Sequence, residues 1–197
     1  MTQSTDCEIS AQAWADHLAE TNTFKHASRS DKNGQGENLY VAYTSDVYES
    51  AYDQEQYALK EAARAVQSWY AEIEDYNWRN PDGSNAEEVG YFTQVVWDTS
   101  LGLGVGWKVY RADGWTKVVI VARYSPSGNN VGQNKFHVNT LKSCDDIPAE
   151  VQEATTKAIT EVATETATEA ITREIQSKHN KVEREFHLKC ELFEEPS

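Results

Sequence analysis

The chain has 197 residues, with 32 acidic side chains against 18 basic ones, and its formal net charge is −14 at neutral pH. This acidity excludes a general nucleic-acid binder and a protein held tightly to anionic lipid, because both need clustered Lys and Arg. No run of about 18 apolar residues occurs, so we expect no transmembrane segment.

Charge and aromatic residues divide the chain into two unequal parts. Residues 145–197 contain 13 acidic and 6 basic side chains, so about a quarter of the sequence carries half of the net charge. All 6 Trp and all 10 Tyr lie before residue 125. Because aromatic side chains dominate core energetics, we expect one main domain over residues 6–144, an acidic Thr/Ala/Glu-rich spacer over 145–170 and an amphipathic helix over 171–197.

The first half of the main domain reads as two helices joined by a loop and a short apolar segment. Apolar residues at helical spacing predict a helix from residue 8 to about 21, followed by a polar loop over 22–36. Residues 39–43 predict a short strand or a helical turn. A long helix is predicted over about 58–76, where apolar residues recur at every third or fourth position. The apolar residues of 44–57 show no clear helical or strand period.

The second half reads as a β-hairpin. Residues 92–97 form a short apolar run that fits either a helix or a strand. Alternating apolar residues over 105–109 and a β-branched run over 117–124 predict two strands, with Asp113-Gly114 as the turn between them. The second run suits a central strand buried on both faces. Helices that come mostly first, followed by a hairpin, favour an α+β fold with helices over an antiparallel sheet.

The cysteines and the N-terminus carry little functional information. Cys7, Cys144 and Cys190 are too few and too scattered for a disulfide scaffold or a thiolate metal site. A single bridge between two of them stays open as an alternative. The first four residues are not an apolar signal segment, and threonine after Met1 excludes a myristoylation signal. We therefore expect no signal peptide within these residues.

Five segments resemble one known family in their order and spacing. They are residues 11–19 (AQAWADHLA), 36–38 (GEN), 69–72 (WYAE), 91–97 (YFTQVVW) and 124–129 (YSPSGN). They are similar to the patterns AQxWAxxLA, GEN, WYxE, HFTQxVW and YxPxGN of the CAP superfamily, also called SCP domains, which contains the cysteine-rich secretory, antigen 5 and pathogenesis-related class 1 proteins. The resemblance covers roughly residues 6–141. The few cysteines make the chain most similar to the Golgi-associated pathogenesis-related branch.

The resemblance implies a three-layer α-β-α sandwich, with an antiparallel central sheet and a large surface cleft. In family members two histidines and two glutamates line this cleft and can hold a divalent metal. By motif, His26, Glu37 and Glu72 take three of these places, while Tyr91 stands where the second histidine belongs. One imidazole, two carboxylates and a neutral phenol bind zinc poorly, so the resemblance implies a weakened Zn²⁺ site and no certain cofactor. The Tyr91 phenol could instead donate a hydrogen bond to Glu37 or Glu72.

The resemblance also implies a function. Family members are implicated in binding sterols and other lipids and in membrane association, and a secretory or extracellular location is expected on the same ground. Tyr76 and Trp78 place aromatic rings beside the turn that begins at Pro81, where all three residues could cover an apolar ligand. No nucleophile elbow or oxyanion donor is recognisable. We therefore expect a non-catalytic protein that binds a sterol, another lipid or a protein partner. The alternative is a metal-dependent hydrolase that uses His26 and the two glutamates.

The tail carries a looser resemblance. The family domain opens with a helix bearing an HNxxR pattern, and few residues precede the first motif of this chain. Residues 179–184 (HNKVER) match that pattern approximately, within an amphipathic stripe of Ile171, Ile175, Val182 and Phe186. The tail therefore predicts a displaced first helix, as in a permuted domain or a segment of tandem repeats. Such a helix would dock on its own domain or on a second copy, the latter as self-association by domain swapping; the alternative is an unrelated solvated helix.

Overall fold

The computed structural model describes residues 1–76, 87–129, 169 and 172–178 of the chain. The helices are α1 (Thr5–Thr21), α2 (Arg29–Lys32), α3 (Ala51–Ala71) and α4 (Gly90–Val95), and the strands are β1 (Thr2–Gln3), β2 (Gly36–Thr44), β3 (Gly102–Ala112) and β4 (Trp115–Ser125). A 3₁₀ turn over Glu72–Asp75 follows α3. Residues 172–178 form a helix that we call the tail helix.

The sheet has the strand order β1-β3-β4-β2, with β4 between the two other long strands. β4 pairs antiparallel with β3 and with β2, whereas the two residues of β1 pair parallel with β3. The sheet is therefore mixed and not wholly antiparallel as expected, because the N-terminal residues add a short parallel edge. Every residue of β4 from Thr116 to Tyr124 is buried, which confirms the predicted central strand.

Helices cover both faces of this sheet. Successive side chains of a strand point to opposite faces, so the even-numbered residues from Val118 to Tyr124 join one apolar cluster, and Val119 and Val121 join the other. α1 covers the smaller cluster, and α3 and α4 cover the larger one. Fully buried aromatic side chains of the larger cluster are Trp69, Phe92, Trp97 and Tyr124. The result is the predicted α+β sandwich of three layers.

α1 lies close to β3 because two glycines of the strand carry no side chain toward it. A Cβ at Gly106 would overlap backbone atoms of Ala11 and Gln12, and Gly104 meets the first turn of α1 in the same way. The side-chain amide of Gln12 then donates to the carbonyl of Trp107 at 2.9 Å and accepts from its N–H at 3.2 Å. Close approach therefore lets a helix side chain satisfy both backbone groups of one strand residue.

We expect Gly106→Ala to lower the free energy of unfolding by about 3 kcal/mol, because the added methyl group meets helix backbone and not a flexible side chain. Gly90→Ala is the matched control, since a Cβ at this first residue of α4 meets nothing closer than Asn129 Nδ2 at 3.9 Å. Urea unfolding followed by tryptophan fluorescence compares the two variants. Equal stabilities would contradict this account of how α1 packs.

The long helix differs from its predicted span. α3 begins at Ala51, where the sequence shows no clear period, because Ser50 caps it by accepting from the N–H of Asp53. It ends at Ala71, after which the backbone tightens into the 3₁₀ turn. The predicted loop over 22–36 contains the single turn of α2, and the ambiguous apolar run before β3 is largely helical, as α4.

Two of the recognised motifs meet at the buried side chain of Gln94. Its Oε1 accepts from the N–H of Gly128 at 3.0 Å, and its Nε2 donates to Ser100 Oγ at 3.1 Å. Ser100 Oγ in turn donates to the carbonyl of Pro126 at 2.9 Å. One amide group therefore fixes α4 against the segment that follows β4.

The tail helix packs on the domain of its own chain. Ile175 is 0% exposed and belongs to the larger apolar cluster. The predicted spacer before residue 169 and the HNxxR-like residues 179–184 lie outside the described residues. Cys7 is a buried free thiol. Within the described ranges, no helix has the length and apolar character needed to cross a bilayer.

Candidate functional site

The candidate site is built on a buried ion pair between neighbouring strands. Glu37, near the start of β2, is the register partner of Arg123, near the end of β4, so their side chains share one face of the sheet. Arg123 Nη2 lies 2.9 Å from Glu37 Oε2, and the two side chains are 1% and 0% exposed. Burial lowers the pKa of the Arg123 guanidinium, and the charge of Glu37 opposes that shift. The attraction between the two charges therefore offsets the cost of removing each of them from water.

The second carboxylate oxygen of Glu37 holds the loop before β2. Oε1 accepts from the backbone N–H of Ala27 at 3.0 Å and lies 2.7 Å from His26 Nδ1. Because a carboxylate only accepts, we assign the imidazole proton to Nδ1, which leaves Nε2 as the acceptor nitrogen of the neutral ring. The side chain of His26 is 48% exposed, so its ring connects the buried carboxylate of Glu37 to the protein surface.

Glu72 caps a different element. It opens the 3₁₀ turn after α3, and its Oε2 accepts from the backbone N–H groups of Tyr91 at 2.8 Å and Phe92 at 3.0 Å. These N–H groups belong to the first turn of α4 and have no partner within that helix, so the carboxylate serves as its cap. Burial raises the pKa of Glu72, and the two N–H groups oppose the rise.

Tyr91 joins the two halves of the site. Its backbone N–H is held by Glu72, and its phenol oxygen lies 3.4 Å from His26 Nε2. Burial raises the pKa of the phenol, and the charges of Glu72 and Glu37 add to the rise. The phenol therefore keeps its proton near neutral pH and faces the imidazole, and not the two carboxylates to which we expected it to donate.

The described residues do not fit a zinc site. Glu37 has both oxygens engaged, by His26, Ala27 and Arg123. Oε2 of Glu72 is engaged by α4, and Tyr91 adds only a neutral phenol, a poor zinc ligand. In the described part of the chain, no group of three His, Cys, Asp or Glu side chains is placed to hold a metal ion. The described side chains of the site form a buried ion pair joined to hydrogen bonds.

The predicted lipid loop is described only at its start. Tyr76 is 4% exposed, and its ring packs against Phe92 with 5.4 Å between ring centroids. Tyr76 therefore belongs to the core and presents little surface to a ligand. Trp78 and Pro81 lie outside the described residues.

Arg123 is a residue of the site that the sequence reasoning missed. It had a signal, because a charged residue within the β-branched run of a central strand needs a buried partner.

The profile of the CAP family, described as the cysteine-rich secretory protein family, matches residues 1–124. This chain belongs to the CAP family. It is 37% identical over 131 residues to Golgi-associated plant pathogenesis-related protein 1 of Homo sapiens, which covers 66% of the chain and 73% of that relative. It is also similar to cysteine-rich secretory protein 2 of Homo sapiens (30% identity, 75% of the chain and 55% of the relative) and to venom allergen 5 of Microctonus hyperodae (30%, 62% and 49%). The CAP chain thus spans about half the length of the last two.

Solved structures agree with this assignment. The structure of BmVAL-1 has a TM-score of 0.54 at 26% identity, over 66% of the CAP chain and 61% of its own. The structure of NaASP2 with Zn²⁺ has a TM-score of 0.50 at 24% identity, over 69% and 65%. The second likeness concerns the fold alone.

We expect Glu37→Gln to lower the free energy of unfolding of this CAP domain by about 3 to 5 kcal/mol, because the Arg123 charge stays buried without a partner. Arg123→Met should have a similar effect. The double variant should lose less stability than the two single effects added together, since neither charge remains. Urea unfolding of all four proteins measures this coupling, and strictly additive effects would exclude a direct pair.

Glu72 should make the stability of the domain depend on pH. The raised pKa of Glu72 means that the folded CAP domain binds this proton up to a higher pH than the unfolded chain does. Stability therefore falls as pH rises through the window between the two pKa values. Glu72→Gln still offers an oxygen to the N–H groups of Tyr91 and Phe92 but does not titrate.

We expect the unfolding free energy of the variant minus that of the wild type to increase as pH rises from about 4, and to become constant above the raised pKa. Denaturant unfolding at a series of pH values measures this difference. A difference that is independent of pH would show that Glu72 has the same pKa in both states.

Proposed function

We propose that this CAP domain is a non-catalytic binding protein of the secretory pathway or the cell exterior, and that its ligand is an amphipathic lipid such as a sterol. The use of the two carboxylates supports the non-catalytic part. Glu37 is held by internal N–H groups and by Arg123, and Glu72 by the N–H groups of α4, so neither is poised as a base toward a substrate. The location is inferred from venom and cysteine-rich secretory relatives.

The contact between His26 and Tyr91 supports the choice of ligand. A ring nitrogen and a phenol lie side by side there, and both can exchange hydrogen bonds with a hydroxyl group. The carboxylate beneath them is balanced by Arg123, so an uncharged polar head is favoured over an ion. Phe24 offers an exposed apolar ring near His26 in the chain. A sterol combines these two requirements, one hydroxyl group and a rigid apolar body.

Sterol binding to the full chain tests this proposal. We expect Phe24→Ser and His26→Ala each to weaken binding about tenfold, the size of one aromatic contact or one hydrogen bond. Tyr52→Ser is the matched control, because Tyr52 is 68% exposed on the first turn of α3, about 30 Å along that helix from Glu72. It should leave binding unchanged.

Three results would contradict the proposal. Sterol binding that is absent from the folded wild type would refute the lipid ligand, and a protein would then be the candidate ligand for the same surface. Zn²⁺ that raises the melting temperature of the wild type but not of His26→Ala would show a metal site. Hydrolysis of peptides by the wild type that is lost in folded His26→Ala would show a hydrolase.

A further inference from the structure

Two helices of the domain end on an asparagine in the same backbone conformation. Asn22 follows α1 with φ 49° and ψ 43°, and Asn33 follows α2 with φ 48° and ψ 43°. Both lie in the left-handed region, which asparagine tolerates at helix ends, and both are exposed. Because their backbones match, a difference in the reactivity of the two side chains must come from their neighbours.

The side chain of Asn22 and the backbone after it are both held. Its Nδ2 donates to Asp113 Oδ2 at 2.9 Å, and its Oδ1 accepts from Lys117 Nζ at 2.8 Å. Lys117 Nζ also lies 2.7 Å from Asp113 Oδ2, so each of the three side chains contacts the other two. The N–H of the next residue, Thr23, donates to the carbonyl of Leu18 at 3.1 Å. The amide group of Asn22 and the nitrogen that follows it are therefore kept apart by separate partners.

Asn33 has neither restraint. Within the described ranges, no residue forms a hydrogen bond with its side chain, and the N–H of the next residue, Gly34, donates to no acceptor. The two residues are the one Asn-Gly pair of the sequence. The space beside Gly34 is open, since a Cβ there would meet nothing within 4 Å. A free backbone nitrogen thus follows a free side-chain amide.

The turn that carries Asn33 is weakly held. α2 has four residues and none of them is buried, and so short a helix gains little from its own hydrogen bonds. Three backbone hydrogen bonds hold the turn, donated by Asn33, Gln35 and Ser127 at 3.2, 2.9 and 3.2 Å. Local opening of an exposed turn costs little free energy. Once it opens, ψ of Asn33 changes and its side-chain Cγ meets the nitrogen of Gly34.

We propose that Asn33 is a site of spontaneous deamidation, with water as the only co-reactant. The nitrogen of Gly34 bonds to Cγ of Asn33, the Cγ–Nδ2 bond breaks, and ammonia leaves with the proton of the Gly34 N–H. Water then adds across one of the two ring C–N bonds of the cyclic imide. Opening at Cγ gives aspartate, and opening at the backbone carbonyl gives isoaspartate, in which the main chain runs through Cβ. Either product changes the net charge of the chain from −14 to −15.

The modification falls on the loop that precedes the candidate site. This loop contains His26, and Glu37 follows four positions after Asn33. Isoaspartate would add one carbon atom to the main chain of this loop, and both products add a carboxylate two positions after Asp31. The proposal concerns the covalent product at Asn33, so it holds or fails separately from the proposed ligand.

Peptide mapping of the full-length protein by mass spectrometry tests the proposal. After incubation at mildly alkaline pH, which favours loss of the Gly34 amide proton, we expect aspartate and isoaspartate at position 33 and intact Asn22. Electron-transfer fragmentation distinguishes the two isomers, and anion exchange should resolve a species with one more negative charge. The same chain in urea gives the rate without the fold. The folded protein should react within about tenfold of that rate, because the turn opens at low cost.

Two variants separate the contributions of the neighbours. Asn33→Gln keeps an amide but requires a six-membered ring, so we expect no product at this position. Thr23→Gly creates a second Asn-Gly pair at Asn22, where Asp113 and Lys117 still hold the side chain. In this variant Asn22 should react more slowly than Asn33.

Specific results would overturn the proposal. Asn33 that stays intact in the folded protein while it reacts in urea would show that the fold protects it. Product at Asn22 of the wild type as fast as at Asn33 would show that the neighbours do not decide the reaction. Equal rates at the two positions in Thr23→Gly would show that the side-chain contacts of Asn22 give no protection.

Discussion

A carboxylate and a guanidinium that are buried side by side are both costly to remove from water, and their attraction offsets that cost only where their geometry is fixed. Glu37 and Arg123 meet this condition because they are register partners on the strands β2 and β4. Since Arg123 takes one oxygen of Glu37, the other is left for Ala27 and His26. The course of the loop before β2 and the placement of the exposed imidazole both follow from this pair.

The same pair decides what the site can do. A metal ion would have to compete with Arg123 and with two N–H donors for the oxygens of Glu37. Tyr91 stands where the family pattern has a histidine. Its phenol is a hydrogen-bond donor that keeps its proton near neutral pH, because burial raises its pKa. Both carboxylates of the site are thus held by groups of their own chain, Glu37 by Arg123 and Ala27 and Glu72 by the N–H groups of α4, which supports the proposed recognition of an uncharged ligand.

α4 connects packing to the site. Its first turn is capped by Glu72, its Phe92 lies in the larger core, and its Gln94 fixes the segment after β4. This short helix thus contacts the core through Phe92 and the candidate site through Tyr91. The core and the site of this CAP domain are therefore parts of one packed unit.

Much of this arrangement could be predicted from the sequence. The hairpin of β3 and β4, the buried course of β4 and the helices α1 and α3 follow from apolar periodicity and turn residues, which are local properties of the backbone. The five ordered motifs were enough for the family. In the structure His26 Nδ1 lies 2.7 Å from Glu37 Oε1, and His26 Nε2 lies 3.4 Å from the phenol oxygen of Tyr91. The start of α3 was missed because polar residues and tyrosines hide its period, although Ser50 supplies the cap.

By itself, then, the sequence determined the helices α1 and α3, the hairpin of β3 and β4 and the family. Only the tertiary structure decided that Glu37 pairs with Arg123, that Glu72 caps α4 and that the Tyr91 phenol faces His26. The physical reason is that each of these contacts joins segments far apart in the chain. Which oxygen receives which donor depends on strand register and helix packing, and no local pattern records either.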